Sequence, residues 1–535
     1  MDDNELPEGW TTATIGDTAE YINGRGFKKS EWEGDGRPII RIQNLTGTAD
    51  EFNYTTLDVD EKYVVPPDTI LVSWSATLDA FRWHGPEGVL NQHIFKVVPN
   101  EELVNEDFLF WLLKREIQEM VRSAKLQGST MKHIRRDSFL DHEFPLPPEL
   151  EQRRIADRLD AIQSRTQKTG ETLDQVPDRI DEYRQSVLNA AFTGQLTADW
   201  RVDHPELKSA SKLLQTLKGE RRDFWEANYR WERYDSKGKE PPSGWKDRFK
   251  EFEQPDDSNL KDLPDSWTWV QVRQAGQVQL GRQRAPEYHE GDNMCPYLRV
   301  ANVFEDQIDT SDVKEMHFSE RDFKKYKLEE GDILINEGQS LELVGRPAMF
   351  RGEVENACFQ NTLIRFRGYN SLDRSFALII FRAFLHNGRF ADVARQTTSV
   401  AHLGSTRFSK MPFPLPPLPE QKEIARRANQ RLEKIDEMAA HVDGARKRLD
   451  HLDRSVLAKA FRGDLVETEA ERARREDRDY ETAEELLQRV QGEPSTPAET
   501  DSSASDGPDP DEEPVQVNEN GQFEMKVVKD EEVKM

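Results

Sequence analysis

From Ile155 to Val187, apolar or small residues recur in alternating steps of four and three: Ile155, Leu159, Ile162, Thr166, Thr169, Leu173, Val176, Ile180, Tyr183 and Val187. Glu, Arg, Lys and Asp fill the positions between them. The rhythm returns at Ile424, Ala428, Arg431, Ile435, Met438, Val442, Ala445, Leu449, Leu452 and Val456. A mean spacing of 3.5 residues keeps a narrow stripe on one face of a helix, so each stretch predicts a long helix carrying a coiled-coil seam. The weak positions of one stripe, Thr166 and Thr169, correspond to Ile435 and Met438 in the other, which favours pairing of the two helices over burial on unrelated cores. Pro177 interrupts the first stripe and predicts a kink or a restart there, because proline lacks the N–H that a helix interior needs. Ile155 to Val187 is 33 residues, or ~50 Å of helix at ~1.5 Å per residue.

The two stretches belong to a longer repeat. FPLPPELEQRRIADRLD at 144–160 matches FPLPPLPEQKEIARRAN at 413–429, an offset of 269 residues. The same offset carries Ser186–Leu196 onto Ser455–Leu465, Asn91–Val97 onto Gln360–Phe366, and Thr130, His133 and Ile134 onto Ser399, His402 and Leu403. At smaller offsets LPEGW (6–10) echoes LPDSW (263–267), and Arg41–Asn44 echoes Arg299–Asn302. Even Ala210–Gln215 resembles Ala483–Gln488. The chain is therefore two copies of one unit, a globe followed by a helix.

Short alternating apolar runs in the globes read as strands: Arg37–Ile42, Thr69–Trp74 and His93–Val98 in the first, Pro296–Val300, Asp332–Asn336 and Thr362–Phe366 in the second. A helix over Asn105–Lys125, matched by Arg374–Arg395, follows the last strand of each. The fold class is α/β (α+β). The boundaries run 1–147 for the first globe, 148–196 for the first helical spacer, 197–262 for a charged helical insert, 263–416 for the second globe, 417–466 for the second spacer, 467–491 for a short helical extension and 492–535 for an acidic tail. The proline-rich FPLPP leader stiffens the passage from each globe to its helix.

Composition changes this picture little. Of the net charge of −27, about half falls in the last 69 residues, where 22 acidic side chains face 8 basic ones. Most of that stretch is Pro/Ser/Asp/Glu-rich, the composition of disorder. The mild acidity of the rest suits a saline cytosol and does not exclude a local basic cleft for DNA. Two cysteines, Cys295 and Cys358, make no disulfide framework, and neither a signal-like N-terminus nor a long apolar run is present. A soluble, cytoplasmic protein without membrane contact is expected.

The sequence holds no P-loop, no Gly-rich dinucleotide fingerprint and no paired Cys/His metal spacing, so neither catalytic nor metal-ligating residues are assigned and no cofactor is expected on this chain. Three polar, basic segments recur in both globes. Arg25, Lys28 and Lys29 lie opposite Arg282 and Arg284. Arg41, Gln43 and Asn44 lie opposite Arg299 and Asn302. Ser129, Thr130, Lys132 and His133 lie opposite Thr398, Ser399, His402 and Arg407. Arg forks grip phosphate or guanine, Asn and Gln suit base edges, and small donors suit phosphates, so these are candidate DNA-binding residues. The candidate coiled-coil contacts are Ile155, Leu159, Ile162, Leu173, Ile180, Val187, Ile424, Ile435, Met438, Val442, Leu449, Leu452 and Val456.

These features together resemble the specificity subunit of type I restriction–modification systems, over roughly residues 6–466. The resemblance rests on the LPEGW and LPDSW starts, the FPLPP…EQ passages, the AFTGQL and AFRGDL helix exits and the QGSTMKHI loop. It implies two target-recognition domains, each reading half of a split site in double-stranded DNA. It also implies a pseudo-twofold antiparallel coiled coil that sets the gap, two docked methylase subunits, and a restriction subunit that can join. S-adenosylmethionine would then belong to the methylase and ATP with Mg to the restriction subunit, leaving this chain non-catalytic. Alternatives are the specificity subunit of a methyltransferase without restriction activity, a self-contained nuclease or methyltransferase, and a structural scaffold. The insert 197–262 departs from a minimal member of the family and reads as a helical platform for a partner.

Overall fold

The computed structural model describes residues 6–49, 51–126, 133–207, 209–256, 258, 260–396 and 400–492. Its contacts divide the chain into two compact units, one holding the N-terminal part to Leu159 together with the C-terminal part from Leu457, the other Asp160–Val456. Each globe is thus completed by the end of the long helix that starts from the other globe.

In the first unit Thr11–Thr14 pairs antiparallel with Glu143–Leu146, the strand made by the FPLPP leader. An antiparallel sheet runs Ala19–Asn23, Ile94–Pro99, Ile70–Ser73, Asp79–Arg82, and a second runs Asn53–Thr55, Arg37–Ile40, Gly88–Leu90, Val64–Val65 with a parallel step at Ile39↔Val89. The helix Glu106–Leu126 buries Phe108, Leu109, Leu112, Leu113 and Ile117. The second unit repeats this plan. Thr268–Gln271 pairs with Pro412–Leu415, the antiparallel sheet runs Gly276–Leu280, Leu363–Gly368, Ile333–Asn336, Pro347–Met349, and Tyr297↔Cys358 supplies the parallel step. The helix expected over 374–395 ends at His386 and resumes as Arg389–Val393. Gly388, at φ +72°, takes the left-handed conformation that breaks it.

The repeated EQ pair at each helix start explains why the motif is written twice. The indole N–H of Trp10, from LPEGW, donates to Glu151 Oε1 at 3.1 Å, and the N–H of Glu469 donates to Glu151 Oε2 at 2.8 Å. In the second unit Trp267 donates to Glu420 Oε2 at 2.9 Å, while Thr197 and Arg201 donate to Oε1 at 2.8 and 2.5 Å. The neighbouring glutamines are fully buried and bind backbone. Gln152 joins Asn105 N–H to the Pro147 carbonyl, and Gln421 joins Asp373 N–H to the Pro416 carbonyl. The helix exits close the same node from outside. Gly463 lies against Pro7 in the first unit and Gly194 against Pro264 in the second, both at positive φ, where an added Cβ would come within 2.7 Å of the proline ring.

The long helices run Glu149–Phe192 and Leu418–Ala460. Within the second unit they lie antiparallel, as Arg184 bonds Asp436 at 2.7 Å and Arg446 bonds Asp174 at 2.9 Å. Ile435 and Val456 are buried there, and Val442 and Leu449 half-buried, but Met438 and Leu452 are 53% and 44% exposed, which removes them from the seam. The cause is Leu432: burying it instead of the charged Arg431 moves the inward face on by one position, to Leu432, Ala439, Arg446 and Asp453, and turns Met438 and Leu452 outward by ~100°. In the first helix Tyr183 is likewise exposed.

Pro177 causes no restart; one helix runs through it. Proline at 177 leaves the Leu173 carbonyl without its helical donor, and the Arg446 guanidinium of the facing helix supplies one at 3.2 Å. Arg446→Met is therefore expected to cost about 1–3 kcal/mol. Pro177→Ala should recover part of that loss, so a double-mutant cycle by hydrogen exchange of residues 165–185 should show coupling; additive effects would refute the pairing.

Burial pushes the Glu151 carboxyl up to about 7, against the bonds from Glu469 N–H and Trp10, with the Glu469 carboxylate adding to the rise. A carboxyl raised in the folded state takes up a proton on folding, so this contribution is full below the unfolded value near 4.5 and is lost as pH rises through 7, by about 3 kcal/mol at most. Hydrogen exchange corrected for intrinsic rates should show residues 6–14 and 469–486 less protected at pH 8 than at pH 6, a difference that Glu151→Gln abolishes.

Candidate nucleic-acid interface

The candidate segments of each globe converge at one end of its antiparallel sheet, around Asn91 in the first unit and Gln360 in the second. The N–H of Arg25 donates to the Leu90 carbonyl at 3.1 Å and that of Asn91 to the Ile40 carbonyl at 3.2 Å. This brings the segment after strand Ala19–Asn23 beside the one after Arg37–Ile40. Trp74 donates to Asn23 Oδ1 at 3.1 Å, and Ser75 bridges His133, which draws in the third segment. In the second unit Arg282 donates to the Phe359 carbonyl, Gln360 to the Leu298 carbonyl, and Gly338 pairs with His402.

The shared Gly-Arg pairs are part of this scaffold. A Cβ on Gly24 would meet the Asn91 carbonyl oxygen at 2.0 Å and one on Gly281 the Gln360 oxygen at 2.1 Å, so glycine is required by the chain's own backbone. Arg282 is a correction to the expected DNA contacts. It is 8% exposed, lies between the rings of Tyr288 (3.9 Å) and Phe318 (4.9 Å), and binds the His317 carbonyl and Asp322. Its partner Arg25 is half-buried, tied to Glu31 at 2.8 Å and set over Phe27. Lys28, Lys29 and Arg284 are exposed, Arg284 donating to His289 at 3.0 Å.

Asn302 is a second correction. Its Oδ1 accepts from Arg299 N–H (3.1 Å), its Nδ2 donates to the Asp309 and Asp312 carbonyls (3.0 and 3.1 Å), and it is 2% exposed. No polar atom is left for a base. Asn44 makes the same three bonds, to Arg41 N–H and to the Ala49 and Glu51 carbonyls, and braces its loop in the same way. The arginines beside them differ. Arg299 is bound to Asp312, whereas Arg41 has no carboxylate partner among the described residues and lies 5.7 Å over Trp32, where partial burial lowers its pKa. Gln43 is exposed.

In the third segment His133 is exposed and His402 is held by Glu337 at 3.0 Å. Arg407 is half-buried and donates to the His402 carbonyl at 2.6 Å. Ser129, Thr130, Lys132, Thr398 and Ser399 lie outside the described residues. Trp32, Trp74, Glu337 and Gln339 also border these clusters and were not singled out from sequence. For two of them the signal was positional: Trp74 directly follows the strand Ile70–Ser73 and Glu337 the strand Ile333–Asn336. Among the described residues no group of three or more His, Cys, Asp or Glu could hold a metal ion, and no helix is long and apolar enough to cross a membrane.

The sequence profile of the type I restriction modification DNA specificity domain matches residues 7–177 and 264–439, and the chain belongs to that family. It is 24% identical over 491 residues to the type I restriction enzyme EcoKI specificity subunit of Escherichia coli K12, covering 87% of this chain and 91% of that one. With the StySPI specificity subunit of Salmonella potsdam the identity is 26% over 497 residues, covering 87% and 91%. A chain solved in a study of assembly and conformational transition of the type I R-M system superposes with a TM-score of 0.60 at 17% identity, covering 86% of this chain and all of that one. It shares the fold. The chain is thus a DNA-specificity component of the type I restriction–modification kind.

Because Asn302 serves its own loop, Asn302→Ala is expected to destabilise residues 299–312 by about 1–3 kcal/mol, read as faster hydrogen exchange. Lys28→Gln and Lys29→Gln should leave exchange unchanged. Unaltered protection in Asn302→Ala would return that residue to the candidate base readers.

Proposed function

We propose that each globe reads one half of a bipartite site in double-stranded DNA, and that the paired long helices set the gap between the halves. Supporting this reading most directly is the duplication of one architecture, in which three polar segments gather at the same sheet end in both globes and both globes are joined to antiparallel helices. Lys28, Lys29, Arg41, Gln43 and His133 carry recognition in the first globe, with Arg25 and Asn44 bracing them. Arg284, Arg299, His402 and Arg407 serve the second, with Ser129, Thr130, Lys132, Thr398 and Ser399 completing the two sets. Two methylase subunits dock on the two repeated helical regions. Tyr183 and Met438 support this, flanking the Arg184–Asp436 pair as exposed apolar surface on facing helices. S-adenosylmethionine and ATP with Mg act on the methylase and on a joining restriction subunit, and the complex works in the cytoplasm.

Mapping methylated adenines in the host with and without this gene tests the reading. Loss of one bipartite motif is expected, and an unchanged pattern would refute it. A matched four-residue insertion, after Thr169 in the first helix and Asp450 in the second, should then lengthen the gap while both half-sites keep their sequence. A change in the half-sites would show that the helices do not act as the ruler.

A further inference from the structure

The insert after the first long helix has no equal among the described residues of the first unit. There the matching helix Ala483–Gly492 has 10 residues, whereas the insert helix Ala210–Arg233 has 24. Its first half is taken up by the core of the second unit through Ala210, Leu214, Leu217 and Arg221. Its second half packs on the returning chain instead. Trp225 and Tyr229 stack at 4.7 Å, and Tyr229 lies parallel to Trp245 at 6.1 Å and 3°. This ring stack makes the hairpin stiff without burying its outer surface.

That outer surface is cationic. Residues 210–250 hold eleven Lys and Arg against seven Asp and Glu, within a chain of net charge −27. Arg222, Arg230 and Lys246 pair with Glu226 or Asp235. Arg233, Lys237 and Lys239 are exposed and form no salt bridge among the described residues. Trp231, 40% exposed, carries Lys324 3.7 Å above its ring. Lys324 belongs to the helix Glu320–Tyr326 of the second globe and is followed by the exposed Lys325, so the cationic strip continues from the insert onto the globe.

We propose that this strip binds the phosphate backbone of double-stranded DNA without reading its sequence, beside the second half-site only; the assignment of the globes as DNA readers underlies it. Charge decides the occupant. Lysines are depleted in protein–protein interfaces, whereas unpaired Lys and Arg around an exposed ring suit a polyanion. The insert helix offers an apolar partner little: Trp225 and Tyr229 are engaged with each other, and of the exposed rings Phe224 and Trp231 the second is already covered by Lys324. The strip therefore makes a pseudo-twofold molecule grip DNA unequally, with a sequence-independent hold on one side.

The test uses the complex purified from its host, carrying Arg233→Gln, Lys237→Gln, Lys239→Gln and Lys324→Gln together. Fluorescence anisotropy is read over a salt series with a duplex bearing the site and with one lacking it. Each lost phosphate contact should remove about 0.9 from the slope of log affinity against log salt, so the slope should become shallower by roughly 3 to 4. Affinity for both duplexes should fall by a similar factor, about tenfold or more at moderate salt, with the methylated motif and the melting temperature unchanged. An unaltered slope would overturn the proposal, as would loss of a co-purifying subunit with the slope intact, which would make the strip a protein-docking face. A wild-type complex that prefers no sequence would defeat the reading of the globes, while the change in slope would still report on the strip.

Discussion

The architecture depends on a buried indole–carboxylate bond made twice. Trp10 on Glu151 and Trp267 on Glu420 tie the first residues of each globe to the first turn of its long helix. A buried carboxylate without donors is costly, so each glutamate must be met. The donors that complete it come from beyond the end of the other helix: the N–H of Glu469 in one unit, Thr197 and Arg201 in the other. Neither unit is finished by its own globe and helix start alone. The exits, AFTGQL and AFRGDL, recur because both must fit a glycine at positive φ against the proline of the LPxxW start.

This is why so much of the fold was legible. Widely separated motifs repeat because they meet at one node, and the node is built twice. The strands and the pairing of the helices followed from periodicity. The phase of the seam did not, because heptad spacing from Ile424 led to Arg431, Met438 and Leu452, while the choice between Arg431 and Leu432 is made by desolvation. Nor did continuity through Pro177, since the donor that relieves it, Arg446, lies on the other helix, 269 residues after Pro177.

The candidate interface was legible in position but not in role. Recurrence in both globes drew attention to Gly-Arg and to Arg…Asn, yet recurrence marks what both globes need in order to fold as readily as what both need in order to bind. Arg282 and Asn302 are shared because both globes need the same strut and the same loop brace. Where the globes differ, the side chains stand exposed: Lys28, Lys29 and Gln43 in the first and Arg284 in the second. Arg41 and Arg299 show the transition between the two roles: they are the same residue at the same place, but one is neutralised by Asp312 and the other stands over Trp32 without an acidic partner among the described residues.

The acidity of the chain does not oppose DNA binding, because about half of its net negative charge falls in the residues from Glu467 onward. The most direct test of two independent readers on one frame is an exchange of residues 11–143 for the equivalent segment of a relative with a different site, keeping Trp10, both long helices and the C-terminal part. Adenine methylation mapped in cells carrying the hybrid should show one half of the motif replaced, with the other half and the gap retained. A hybrid that assembles with its methylase but changes both halves, or neither, would contradict the account.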